Sequence, residues 1–113
     1  MRRVVITGIG MVTPLGANPE TVWANILAAR SGAGPITRFD ATDYACRIAM
    51  EVKHGDGTGD TFDAAKRIDH KVLRQVDPFI VFGIDAAGQA LEDAGLTDMT
   101  EERLWRPRMR STN

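Results

Sequence analysis

The chain alternates between short apolar runs and glycine-, proline- and charge-rich breaks. Its first run, Val4-Val5-Ile6-Thr7, is β-branched throughout and bounded by glycine. Such a run predicts a strand buried on both faces. A loop from Gly8 to Ala17 follows. Asn18-Pro19-Glu20 then reads as a helix start: Asn caps, Pro suits the first helical position, and Glu faces the positive end of the dipole. Val22, Trp23, Ile26 and Leu27 form one apolar stripe, and Ser31-Gly32-Ala33-Gly34-Pro35 is expected to end that helix.

Residues 46–53, CRIAMEVK, switch to a period of two. Cys46, Ile48, Met50 and Val52 fall on one side, with Arg47, Glu51 and Lys53 on the other, predicting an antiparallel or edge strand with one wet face. His54 to Asp60 holds three glycines and reads as a loop. A second helix is signalled by Asp77-Pro78 and runs through FIVFGIDAAGQALEDA to Gly95, a residue suited to the C′ position. Apolar residues cover most of this helix, so it needs neighbours on several sides. Gly83 and Gly88 are expected to allow close backbone approach there.

Length and composition narrow the picture. At 113 residues the chain is the size of one small domain, with 43% hydrophobic and 26% charged residues. A net charge of -1 gives no overall attraction to nucleic acid or to an anionic membrane. The positive charge is concentrated late: residues 106–113 hold three arginines and no acid, which leaves the body of the chain acidic. One cysteine, Cys46, forbids an internal disulfide and fits a reducing compartment. No apolar window is long enough to span a bilayer. Arg2-Arg3 before an apolar stretch imitates a signal peptide, but Thr7, Gly8, Gly10, Thr13 and Pro14 dilute the run such a signal needs.

Candidate chemistry is sparse. Gly8-x-Gly10-x-x-Thr13 fills two of the three glycine positions of a dinucleotide fingerprint. That fingerprint needs a helix starting at once, whereas Pro14 and Gly16 interrupt it and the helix start comes only at Asn18. A nucleotide site is therefore the lesser alternative to a strand and tight loop. Cys46 lies beside Ile48 and Met50 on the apolar side of its strand, the place of a small buried hydrophobe and not of an activated nucleophile. His54 and His70 have no partner at metal-ligand spacing and are expected on the surface. Lys66-Arg67, Lys71 and Arg74 read as a solvated face, with an acidic partner as the alternative. Arg106-Pro107-Arg108-Met109-Arg110 has no period and is expected to be disordered.

The ordered set of motifs nonetheless resembles a family. Val4-Val5-Ile6-Thr7-Gly8-Ile9-Gly10 with Thr13-Pro14-Leu15-Gly16 is similar to the N-terminal signature of β-ketoacyl-[acyl-carrier-protein] synthases, the type II condensing enzymes of fatty acid synthesis. The similarity continues through Trp23, Ser31-Gly32, Phe39-Asp40 and the Ala49-to-Val52 stretch. It returns at Asp77-Pro78-Phe79 and in the helix ending Asp93-Ala94-Gly95-Leu96.

The resemblance implies an α/β fold: an incomplete N-terminal portion of a thiolase-like architecture, a mixed sheet with packed helices. Residues 1–105 would form a partial synthase domain. Residues 106–113 would form a basic tail, where a frameshift or early stop ends the similarity; reading the DNA past codon 105 in all frames tests this. Family members are about four times longer than a domain of this size. Their chemistry, decarboxylative condensation of an acyl group with malonyl-carrier-protein, uses a cysteine at a helix N-terminus, two histidines and an oxyanion hole. All of these lie beyond the matched region, so no catalytic, cofactor-binding or metal-binding residue is carried over, and neither Cys46, His54 nor His70 takes such a role. The resemblance further implies a cytoplasmic homodimer served by acyl carrier protein, with no metal, nucleotide or other cofactor. Alternatives are a non-catalytic fragment that complements a separate C-terminal piece, and a polyketide ketosynthase fragment.

Overall fold

The computed structural model describes residues 3–97. Five elements follow one another: α1 (Pro19–Leu27), β1 (Ala33–Pro35), β2 (Ile48–Met50), α2 (His70–Leu73) and α3 (Pro78–Asp93). The tail 106–113 lies outside the described residues.

Both predicted helix starts are observed. Asn18 caps α1, its Oδ1 accepting from the Thr21 N–H at 2.8 Å, and Pro19 opens the helix. Asp77 and Pro78 open α3, although the Asp77 side chain makes no capping bond. The end of α3 also falls as expected. Gly95 takes φ 68°, its N–H donates to Glu92 O at 3.0 Å, and Leu96 N–H donates to Leu91 O at 2.8 Å. That pair of bonds is the Schellman closure.

The end of α1 differs from expectation. It stops at Leu27, before the Ser31–Pro35 break, because Ala29 adopts φ 52°. Ala29 N–H then reaches Ile26 O and Arg30 N–H reaches Asn25 O, the same closure without glycine. Ala33–Pro35, read as a breaker, instead pairs antiparallel with Ile48–Met50. The antiparallel strand expected in 46–53 is therefore present but only three residues long. Its expected dry face holds only at Val52, which packs against the core; Cys46, Ile48 and Met50 are exposed, since no described helix covers this small hairpin.

The first run is the larger correction. Val4–Thr7 joins no ladder, and Val4 is 95% exposed, with Val5 and Ile6 exposed beside it. A strand buried on both faces needs flanking strands and helices, and none among the described residues lies there. The core gathers elsewhere, around Phe62, Ile68 and Val81, with Val12, Val52 and Phe82 packed against it. Phe62 is 2% exposed, and its ring meets that of Phe82 edge to face at 5.2 Å. Helices with a small antiparallel sheet around one modest core make an incomplete α/β fold.

Candidate functional site

The polar face of α3 carries a connected hydrogen-bond network. Asp85, Gln89 and Asp93 follow one another at four-residue steps, so they line one side of the helix. Asp93 Oδ2 accepts from the Ile9 N–H at 2.9 Å, and Gln89 Oε1 accepts from the Met11 N–H at 3.1 Å. The other end of the Gln89 amide donates at 2.7 Å to both Ala17 O and Asp85 Oδ2. Asp85, only 5% exposed, is balanced by Arg67, whose Nε donates to Oδ1 at 2.7 Å. The Arg67 guanidinium also grips Glu92 with both terminal nitrogens, at 2.6 and 2.7 Å. This two-pronged contact holds the Glu92 carboxyl below the usual glutamate range and Arg67 above the usual arginine value.

Glycines make the arrangement possible. A Cβ on Gly10 would lie 1.9 Å from Ala86 O, and one on Gly8 would lie 2.1 Å from Ala90 O. The close backbone approach expected at Gly83 and Gly88 thus occurs at Gly8 and Gly10 instead. Gly83 faces open space, while Gly88 leaves room for the Arg67 side chain, whose Nη1 would sit 2.9 Å from an added Cβ.

An open cleft of about 390 Å³ lies beside this network, between the start of α1, the 57–67 segment and α3. Its walls carry Glu20, Asp63, Asp85, Glu92 and Asp93 against Lys66 and Arg67. The Ile9 and Met11 amides, which a phosphate cradle would present to its ligand, are engaged by Asp93 and Gln89. A carboxylate in that position repels phosphate. The glycines of the opening loop serve helix packing and leave no cradle.

The remaining candidates are scattered. The Cys46 thiol is exposed and donates to Ile48 O at 3.5 Å, and it lies within no helix start among the described residues. Its expected burial is incorrect, for the reason given for its strand. His70 is exposed in the first turn of α2. His54 is exposed too, but its ring rests against Phe62 and Phe82, and its Nε2 lies 3.3 Å from Arg38 Nη2. Among the described residues no group of three His, Cys, Asp or Glu side chains is placed to hold a metal. No helix there is long and apolar enough to cross a membrane.

Sequence reasoning missed Arg67, which it placed on a solvated face, and the Asp85–Gln89–Asp93 ladder. The four-residue spacing was the available signal, hidden within a helix read for its apolar residues.

The family model "Beta-ketoacyl synthase, N-terminal domain" matches residues 1–106. The chain belongs to this family. It is 45% identical over 102 residues to 3-oxoacyl-[acyl-carrier-protein] synthase 2 of Rhizobium meliloti, a match covering 90% of this chain and 24% of that protein. It is 36% identical over 97 residues to the chloroplastic 3-oxoacyl-[acyl-carrier-protein] synthase II of Arabidopsis thaliana, covering 86% and 17%. Among solved structures, the ishigamide ketosynthase/chain length factor superposes with a TM-score of 0.69 at 35% identity, covering 89% of this chain and 23% of that one. The fold is therefore that of a ketosynthase in its N-terminal part, and the chain spans about a quarter or less of the length of these β-ketoacyl synthase relatives.

Proposed function

We propose that this chain is the N-terminal part of a 3-oxoacyl-[acyl-carrier-protein] synthase, and that it performs no condensation by itself. The observation that carries this reading is the 45% identity spread over nine-tenths of the chain but only a quarter of the relative. The chemistry supports it. Condensation needs an activated thiol, bases and an oxyanion hole converging on one atom. Here the one thiol, Cys46, is exposed and bonds to Ile48 O, while His54 rests on Phe62 and Phe82 and His70 sits exposed in α2. This reading assigns no catalytic, cofactor-binding or metal-binding residue to the chain and takes residues 1–105 as a partial synthase domain.

In the complete enzyme the substrates are acyl- and malonyl-acyl-carrier-protein, no metal or nucleotide takes part, and the assembly is a cytoplasmic homodimer. The exposed Lys71 and Arg74 around α2 suit an acidic carrier. A polyketide ketosynthase origin is the second reading, favoured by the likeness to the ishigamide ketosynthase/chain length factor.

Purified chain incubated with acyl- and malonyl-carrier-protein is expected to release no 3-oxoacyl product. Co-expression with the C-terminal three-quarters of the Rhizobium meliloti synthase is expected to restore solubility and turnover. Product from the isolated chain refutes the reading of inactivity.

A further inference from the structure

Residues 8–11 belong to no strand, and none lies beside them among the described residues. Two of their amide groups, on Ile9 and Met11, point the same way, as alternate amides of a strand do. Each finds an acceptor on α3, Asp93 for Ile9 and Gln89 for Met11. The two segments run in opposite directions. Two strand residues advance about 6.6–6.8 Å, and four helix residues about 6.0 Å, so the rungs nearly coincide. Gly8 and Gly10, lacking Cβ atoms, let the segment come near enough for side chains as short as Asp to reach it.

The second part of the device is orientation. A glutamine amide presents an acceptor at one end and donors at the other, and its two orientations have nearly the same shape. Gln89 is turned so that oxygen meets Met11 and nitrogen meets Ala17 and Asp85. A buried Asp85 carboxylate accepts only, which excludes the flipped amide. Arg67, fixed between Asp85 and Glu92 in the space left by Gly88, donates to Asp85 Oδ1 and leaves Oδ2 to accept from Gln89.

We propose that Asp85, Gln89 and Asp93 form a side-chain clamp that replaces a neighbouring strand along Gly8–Met11, and that Arg67 sets its register by orienting Gln89 through Asp85. The clamp holds the opening segment extended against α3 whether or not a sheet is present. This goes beyond the family reading and does not depend on it.

Residue-resolved amide hydrogen exchange on the full, isotopically labelled chain tests it. Ile9 and Met11 amides are expected to be protected while Val5 and Ile6 amides exchange freely. Asp93→Ala is expected to speed exchange about tenfold or more at Ile9 and to spare Met11, as loss of one bond implies. Asp93→Asn, whose amide oxygen still accepts, is expected to restore Ile9. Arg67→Met is expected to expose Met11, which Arg67 does not touch, while amides in the middle of α3 stay protected. Unprotected Ile9 and Met11 in the unsubstituted chain overturn the clamp. An unchanged Ile9 in Asp93→Ala does so as well, and an unchanged Met11 in Arg67→Met overturns the register role.

Discussion

Gly10 and Gly83 are the same residue with opposite roles. At Gly10 an added methyl meets the Ala86 carbonyl oxygen at 1.9 Å, so the segment must lift off α3. Gly10→Ala is expected to cost at least about 1–3 kcal/mol, the usual range for overpacking. At Gly83 nothing lies within 4 Å, and the residue sits inside a helix. Gly83→Ala is expected to stabilise by up to about 1 kcal/mol through helix propensity. Urea titration of both variants reads the contrast; equal effects would contradict the close approach. Glu92 gives a pH test. Its carboxyl is held below its ordinary value of 4.5 by Arg67, so its stabilisation is complete above that value and fades as pH falls toward the lowered one. Glu92→Gln is expected to lower stability at neutral pH and to flatten the acid limb, measured by thermal melting across the acid range.

Among the elements, the two long helices end by one backbone device with different residues. Gly95 adopts its left-handed conformation without strain, whereas Ala29 at φ 52° does not. Ala29→Gly is expected to stabilise the chain and Gly95→Ala to destabilise it, each by about 1 kcal/mol, the steric cost of that conformation. Calorimetric melting points moving in the same direction would refute the argument. These helices also show what the sequence could convey. Asn18-Pro19, Asp77-Pro78 and Gly95 act on backbone groups a few residues away, so their meaning is local and readable. Ala29 was hidden because nothing in alanine announces a positive φ. The short hairpin was half legible: alternation predicted β2, but Ala33–Pro35 as its partner depended on a pairing fixed only in three dimensions. The partners of Arg67 and of the α3 ladder were illegible for the same reason, since they lie up to 84 residues apart, although the four-residue spacing of the ladder itself was readable.

The molecule as a whole has a small core and a large apolar exterior. Phe62, Ile68 and Val81 are buried, while Val4, Ile6, Trp23, Leu27, Ile48 and Met50 face outward. The predicted buried strand failed, and α3 lacks the neighbours its apolar faces call for, because both require surfaces that residues 3–97 do not supply. Exposed apolar area on this scale marks an interface or an aggregation liability. The isolated chain is expected to bind a hydrophobic dye such as ANS and to self-associate with rising concentration. Co-expression with the C-terminal part of a relative is expected to suppress both. A dye-silent, cooperatively melting monomer would sink this expectation.

The pairing of an extended segment with a helix edge carries its own length limit. The two repeats act as a vernier: each rung slips by about 0.6–0.8 Å, the difference between two strand steps and four helix steps. Two rungs tolerate that slip. A third, from Thr13 to the position of Asp85, accumulates twice as much, and the chain makes no such bond. Thr13 instead turns back on Gly16, its N–H donating to Gly16 O at 2.8 Å. A helix edge is thus commensurate with a strand for one repeat only, and a longer extended segment needs another strand alongside.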